Sequence, residues 1–108
     1  MNLVHTQIES LFIDLEVEMR RLNLWSNQAP NDDAFHSDMP FFLDTMALQE
    51  WIQWMMIPTL RQMMAEGQAL PEKMAVLPVA EEYFSGTQYP TDQFFKILGL
   101  IDHMVTEN

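Results

Sequence analysis

Asp44 is the one acid in the chain set among bulky apolar neighbours, with Phe41, Phe42 and Leu43 before it, Thr45 and Met46 after it, and Trp51 and Trp54 close behind. Such a setting can push a carboxyl up towards neutrality and fit it for acid–base work. The competing role is structural. Asp and Thr just ahead of a helix commonly satisfy its free amides, and the positive end of the helix dipole favours a carboxylate there. Capping is the commoner outcome and the expected one; a small enzyme or RNA-modification factor using Asp44 as acid or base is the alternative. Trp51, Trp54, Met55 and Met56 pose a related choice. At helical spacing such residues are first of all core, yet Trp anchors and Met adapts at recognition surfaces. Phe41, Phe42, Asp44, Thr45, Trp51 and Trp54 are therefore the candidate partner-binding residues.

No other constellation points to a reaction. Histidines stand at 5, 36 and 103, in three different segments, without the HExxH or Glu-x-x-His spacing that brings metal ligands to one helix face. No metal or cofactor is expected. Ser10, Ser26, Ser37 and Ser85 lack the Gly-flanked turn that exposes a nucleophile, and a chain with three glycines has no phosphate-cradling loop. The absence of cysteine excludes a thiol nucleophile, a thiolate metal site and a disulfide framework. No catalytic residue is assigned.

Sixteen acidic against five basic residues give a formal charge of −11, which repels a phosphate backbone where a binder would release its counterions. Direct nucleic-acid binding is not expected. The same charge keeps a Met- and Phe-rich domain soluble and would steer a basic protein partner. At 48% apolar content the 108 residues lie outside the disordered class and suit one helical domain over 1–108. Glu50, Gln53, Arg61 and Gln62 interrupt the richest apolar segment, so nothing approaches the roughly 18 apolar residues of a membrane span. Met1 leads into an amphipathic stretch without a signal-like basic start or cleavage site, which places the expected compartment in the cytoplasm.

The elements that must position these residues read as helices. Val4, Ile8, Leu11, Leu15, Met19 and Leu22 recur in steps of three and four, with Arg20 and Arg21 last and Asn23 or Asn27 at the end. Ser26 to Met39 is a long turn-rich loop, closed by Pro40. A second helix is expected from near Ala47 to Glu66, with Thr45 or Met46 in the cap region and Gly67 as the left-handed stop. Its middle is apolar all round. Pro58 cannot donate to the Trp54 carbonyl, a defect of about 3 kcal/mol that predicts a kink between Trp54 and Pro58. One turn near Glu72 to Val76 and a short helix from about Pro78 to Phe84 follow, and Thr91 caps a last helix carrying Phe94, Ile97, Leu98, Ile101, Met104 and Val105. The expected architecture is all-α, a single-domain antiparallel four-helix bundle with a kinked second helix as its hub.

Pro40-Phe-Phe-x-Asp-Thr-Met46, Glu50-Trp-x-Gln-Trp54, Ile57-Pro58 and Leu70-Pro71 resemble the YqcC-like family of small bacterial helical proteins. The resemblance implies a four-helix bundle in the bacterial cytosol with no established activity. It also implies a label, since the family is commonly named after tRNA pseudouridine synthase C, whose gene lies beside its own. Synthases of that type use an Arg-Leu-Asp motif on a larger α/β fold, whereas Asp44 follows Phe42-Leu43 and no arginine stands between Arg21 and Arg61. Catalysis is not carried across. The expected role is a non-enzymatic interaction module, with a basic protein such as a tRNA pseudouridine synthase as partner.

Overall fold

The first amphipathic stretch folds as α1 (Leu3–Arg21), with Ile8, Phe12, Leu15 and Met19 fully buried along one stripe. These details come from a computed structural model that describes residues 2–107. Asn2 accepts the His5 amide at its N-terminus, and the helix ends at Asn23, whose φ of 59° lets Leu24 N–H reach back to the Met19 carbonyl at 2.7 Å. Of the two candidate stops, Asn23 is the one used. Arg20 pairs with Glu16 at the i,i+4 spacing, 2.9 Å apart.

α2 consists of three contiguous pieces: an α segment Leu48–Trp51, a π-helical turn Ile52–Met56 and an α segment Ile57–Ala65. The disturbance demanded by Pro58 takes the form of that π turn, in which Ile57 N–H bonds to the Ile52 carbonyl five residues back. Gly67, at φ +69°, ends the helix, with Gln68 N–H on the Met63 carbonyl at 2.9 Å. Gln53 is buried inside the π turn. Its amide accepts from Ser26 N–H at 2.9 Å and donates to Ser26 O at 2.7 Å, tying the long loop to α2.

α3 (Val76–Tyr83) and α4 (Asp92–Thr106) complete four helices, with no strand among the described residues. The expected helical turn near Glu72 to Val76 does not form; residues 71–75 run as an irregular strap, because Pro71 cannot donate and Ala75 offers no capping side chain. A cap arrives from elsewhere. Asp102 on α4 accepts the Val76 and Leu77 amides at 2.9 and 2.8 Å, so the first two free N–H groups of α3 are satisfied by a different helix. Thr91 holds the N-cap position of α4 without a side-chain capping bond. Gly99 earns its place by close approach: a Cβ there would lie 3.1 Å from Leu77 Cδ2.

The hub differs from the expected one. The most extensive helix contact is α1 with α4, not with α2. Ile8, Phe12, Leu15 and Met19 meet the fully buried Phe94, Leu98 and Ile101 in one core, and α2 adds Leu48, Ile52, Met56, Ile57 and Leu60 to it from the side. The reason lies in breadth of burial. Trp51, Trp54 and Met55 are only half-buried, so the apolar girdle of α2 is not enclosed by the other helices.

Two carboxylates give this fold opposite pH signatures. Arg21 hydrogen-bonds Glu18, which is 7% exposed, and holds its carboxyl below the ordinary 4.5 against the burial that raises it. That contribution is present above pH 4.5 and is lost as pH falls through the lowered folded value. Burial pushes Asp102 up instead, with its two backbone N–H bonds pulling the other way. Its contribution is therefore fullest at low pH and declines as pH rises through the raised value. Denaturant unfolding across the acid range should show a flatter acid limb for Glu18→Gln than for wild type; superimposable limbs would discount the Arg21 pair. Asp102→Ala should cost about 1 kcal/mol by the same measurement, the usual cost of a lost cap.

Candidate functional site

One side of the half-buried girdle of α2, that of Trp51 and Met55, forms the floor of a groove of about 470 Å³. Trp51, Met55, Thr59 and Met63 line it at successive steps of four. One wall is the turn from Met39 to Phe42. The other is the strap, through Pro71, Lys73 and Met74, ending at Val76. Thr59 and Lys73 bring the only polar side chains to a lining otherwise of thioethers, aromatic rings and aliphatic carbon.

The turn is held in an unfavourable backbone. Phe41 and Phe42 both lie in the left-handed region, at φ 57° and 51°, which costs a non-glycine residue about 1–2 kcal/mol. Neighbouring contacts hold it there. The Phe41 ring packs edge-on against Trp51, centroids 4.8 Å apart and planes at 71°, an arrangement that adds about 0.5–1.5 kcal/mol beyond area burial. Met39 N–H donates to Ser37 Oγ at 3.0 Å, and Ser37 Oγ donates to Asp44 Oδ1 at 2.5 Å. Thr45 Oγ1 donates to the Ala34 carbonyl at 2.7 Å.

Asp44 and Thr45 therefore do not cap α2, contrary to expectation. Ala47 is the N-cap residue, and Glu50 reaches back to accept its N–H at 2.8 Å. Alanine has no acceptor to return the bond, so only the Glu50 half of a capping box exists. Asp44 and Thr45 act on the turn behind Phe41 and Phe42, one step removed from the groove, and both are exposed.

Of the candidate residues, Phe41, Phe42 and Trp51 are brought together in the groove, and Trp54 lies outside its lining. The Trp54 indole Nε1 is enclosed and has no acceptor among the described residues. Thr59 and Met63 in the floor and Met39, Lys73 and Met74 in the walls are lining residues that the sequence does not single out. The four-residue spacing from Trp51 to Met63 is a signal for the floor; nothing local marks the strap, because its position is set from α4, by Asp102 and by Thr106, whose Oγ1 accepts Met74 N–H at 3.2 Å.

The DUF446 family profile, described as tRNA pseudouridine synthase C, matches residues 7–104. The chain belongs to this family of YqcC-like proteins. It is 44% identical over 68 residues to an uncharacterized protein of Haemophilus influenzae, the match covering 63% of this chain and 64% of that one. Over 77 residues it is 36% identical to the uncharacterized protein YqcC of Escherichia coli, covering 71% of each. A third relative, from Pectobacterium carotovorum, is called tRNA pseudouridine synthase C; 82 residues match at 30% identity, covering 76% of this chain but only 22% of that protein. The solution NMR structure of E. coli YqcC superposes with a TM-score of 0.83 at 30% identity, covering 96% of this chain and 89% of the other. DUF446 membership and this superposition establish the all-α fold that the sequence motifs imply.

The strain at Phe41 generates a test within one position. Phe41→Gly and Phe41→Ala both delete the ring, but only the glycine also relieves the left-handed backbone. The glycine variant should be the more stable by about 1 kcal/mol in denaturant unfolding, reversing the usual order of the two residues. An alanine variant as stable as the glycine one would show that the turn stores no strain.

Proposed function

We propose that this chain is a non-catalytic interaction module that serves a tRNA pseudouridine synthase in the cytoplasm, engaging it through the Met- and aromatic-lined groove. One observation carries the reading. In the Pectobacterium relative the matching segment makes up 22% of a protein named tRNA pseudouridine synthase C, so a domain of this kind stands beside the remaining sequence of a protein with that name. A member of the same family is suited to the same neighbour. Charge supports it, since a formal −11 is attracted to the basic surface an RNA-modifying enzyme needs. The lining supports it too. Aromatic anchors, adaptable thioethers and a strained turn describe a surface made for another protein.

Asp44 as an acid or base draws no support from its surroundings. It is exposed, its carboxylate is engaged by Ser37, and no apolar pocket closes over it.

Purified chain and purified full-length synthase from the same organism should form a complex in titration calorimetry at low ionic strength. Raising salt from about 50 to 300 mM should weaken it about tenfold or more, because exposed charges separated by a Debye length are screened. No heat and no co-elution at low salt, with both proteins folded, would end this reading.

A further inference from the structure

The groove carries more information than its apolarity: its shape and its charge together describe an occupant. Its floor is a ladder of one residue per helical turn, Trp51, Met55, Thr59 and Met63, twelve steps from end to end and therefore at most about 18 Å long. A trough of that length bordered on both sides fits about three turns of a single α-helix, whose own anchors would recur at the same spacing. The thioethers tolerate a range of apolar anchors because they are unbranched and polarizable.

The rims set the sign of what flanks those anchors. Exposed acids adjoin the lining on both walls, with Asp38 beside Met39 and Glu72 between Pro71 and Lys73. Against them stands Lys73, the only charged side chain in the lining. Arg20, Arg21 and Arg61 are already paired with Glu16, Glu18 and Glu9, so the basic residues do little to offset the surplus of acid.

We infer that the groove receives one amphipathic helix of about three turns from the partner, its apolar stripe on the α2 ladder and its flanks basic. This rests on the reading of the chain as an interaction module and names the chemistry of the element it grips. Lys73 is then the one unfavourable contact in the groove, and replacing it by an acid should improve the fit.

Two designed amphipathic peptides of about 14 residues, one of Leu and Lys and one of Leu and Glu, separate the possibilities when titrated into methyl-labelled protein. The Leu–Lys peptide should shift the methyls of Met39, Met55, Met63 and Met74 and leave that of Met19, buried in the α1 core, unmoved. Lys73→Glu should tighten its binding about fivefold. Thr59→Arg, at an exposed position in the floor where folding does not need the threonine, should abolish it. Preferential binding of the Leu–Glu peptide, or shifts confined to methyls outside the groove, would overturn the inference. The same variants measured against the intact synthase distinguish the two levels. Synthase binding that survives Thr59→Arg unchanged overturns the helix-in-groove assignment while leaving the partner intact. Groove binding of the Leu–Lys peptide without any binding of the synthase upholds the groove chemistry and removes that enzyme as the partner.

Discussion

A missing amide hydrogen in the middle of α2 governs the shape of the surface this protein presents. Pro58 cannot bond the Trp54 carbonyl, and its ring crowds that carbonyl, so the helix widens into the π turn Ile52–Met56 just before it. The consequence is geometric. In an α-helix four residues wind about 40° past a full turn, so a stripe at spacing four drifts around the cylinder. A π turn winds more residues into each circle and falls short over the same four. Placed between Trp51 and Met55, it cancels part of the drift that the steps to Thr59 and Met63 add. Four side chains that would otherwise spiral away therefore share one trough. The same turn presents Gln53 to Ser26, so the defect in α2 also anchors the long loop.

The other wall depends on α4 reaching across the chain. Asp102 and Thr106 lie one helical turn apart; Asp102 takes two backbone amides from the start of α3 and Thr106 one from the strap. Packing of α1 against α4 is thus coupled to the groove: the pair forms the core on one side and positions the Met74 wall on the other. Asp102 accepts a half-buried setting that raises its carboxyl, an arrangement tolerated because two amides would otherwise be left without acceptors.

How much of this could be read from residues alone follows from the range of each interaction. The amphipathic stripe of α1, the Asn23 and Gly67 stops and the disturbance before Pro58 are local, and they appear where periodicity and turn chemistry place them. Phe41, Phe42 and Trp51 are legible as a cluster because they are close in sequence and bulky. Asp102 is not, since its partners lie 26 and 25 residues away and a lone aspartate in a helix carries no signal of what it caps. Asp44 and Thr45 mislead for a related reason: a cap and a turn clamp use the same side chains, and only the placement of Ser37 and Ala34 decides between them. The hub misleads because richness in large residues is not enclosure. α2 is the most apolar segment by eye, yet α1 and α4 bury the larger share of their stripes.

The strained turn bears on function through the same logic of enclosure. Two adjacent aromatic residues in the left-handed region are held by Trp51 on one side and by the Ser37, Asp44 and Thr45 bonds on the other. Such strain persists only where the surroundings over-determine it, and it clusters at sites that bind or switch. Relaxed backbone would swing the Phe41 ring off Trp51 and open the wall of the trough. What the strain secures is thus an aromatic ridge fixed in place above a floor of flexible thioethers. Rigidity sits in the wall and plasticity in the floor, the distribution the proposed docking would use. Thr59 and Lys73 are the aliphatic-chain polar residues of that lining, which is otherwise thioether, aromatic and aliphatic. What the groove offers is shape, apolar surface and an acidic surround, the terms on which the proposed recognition of another protein would rest.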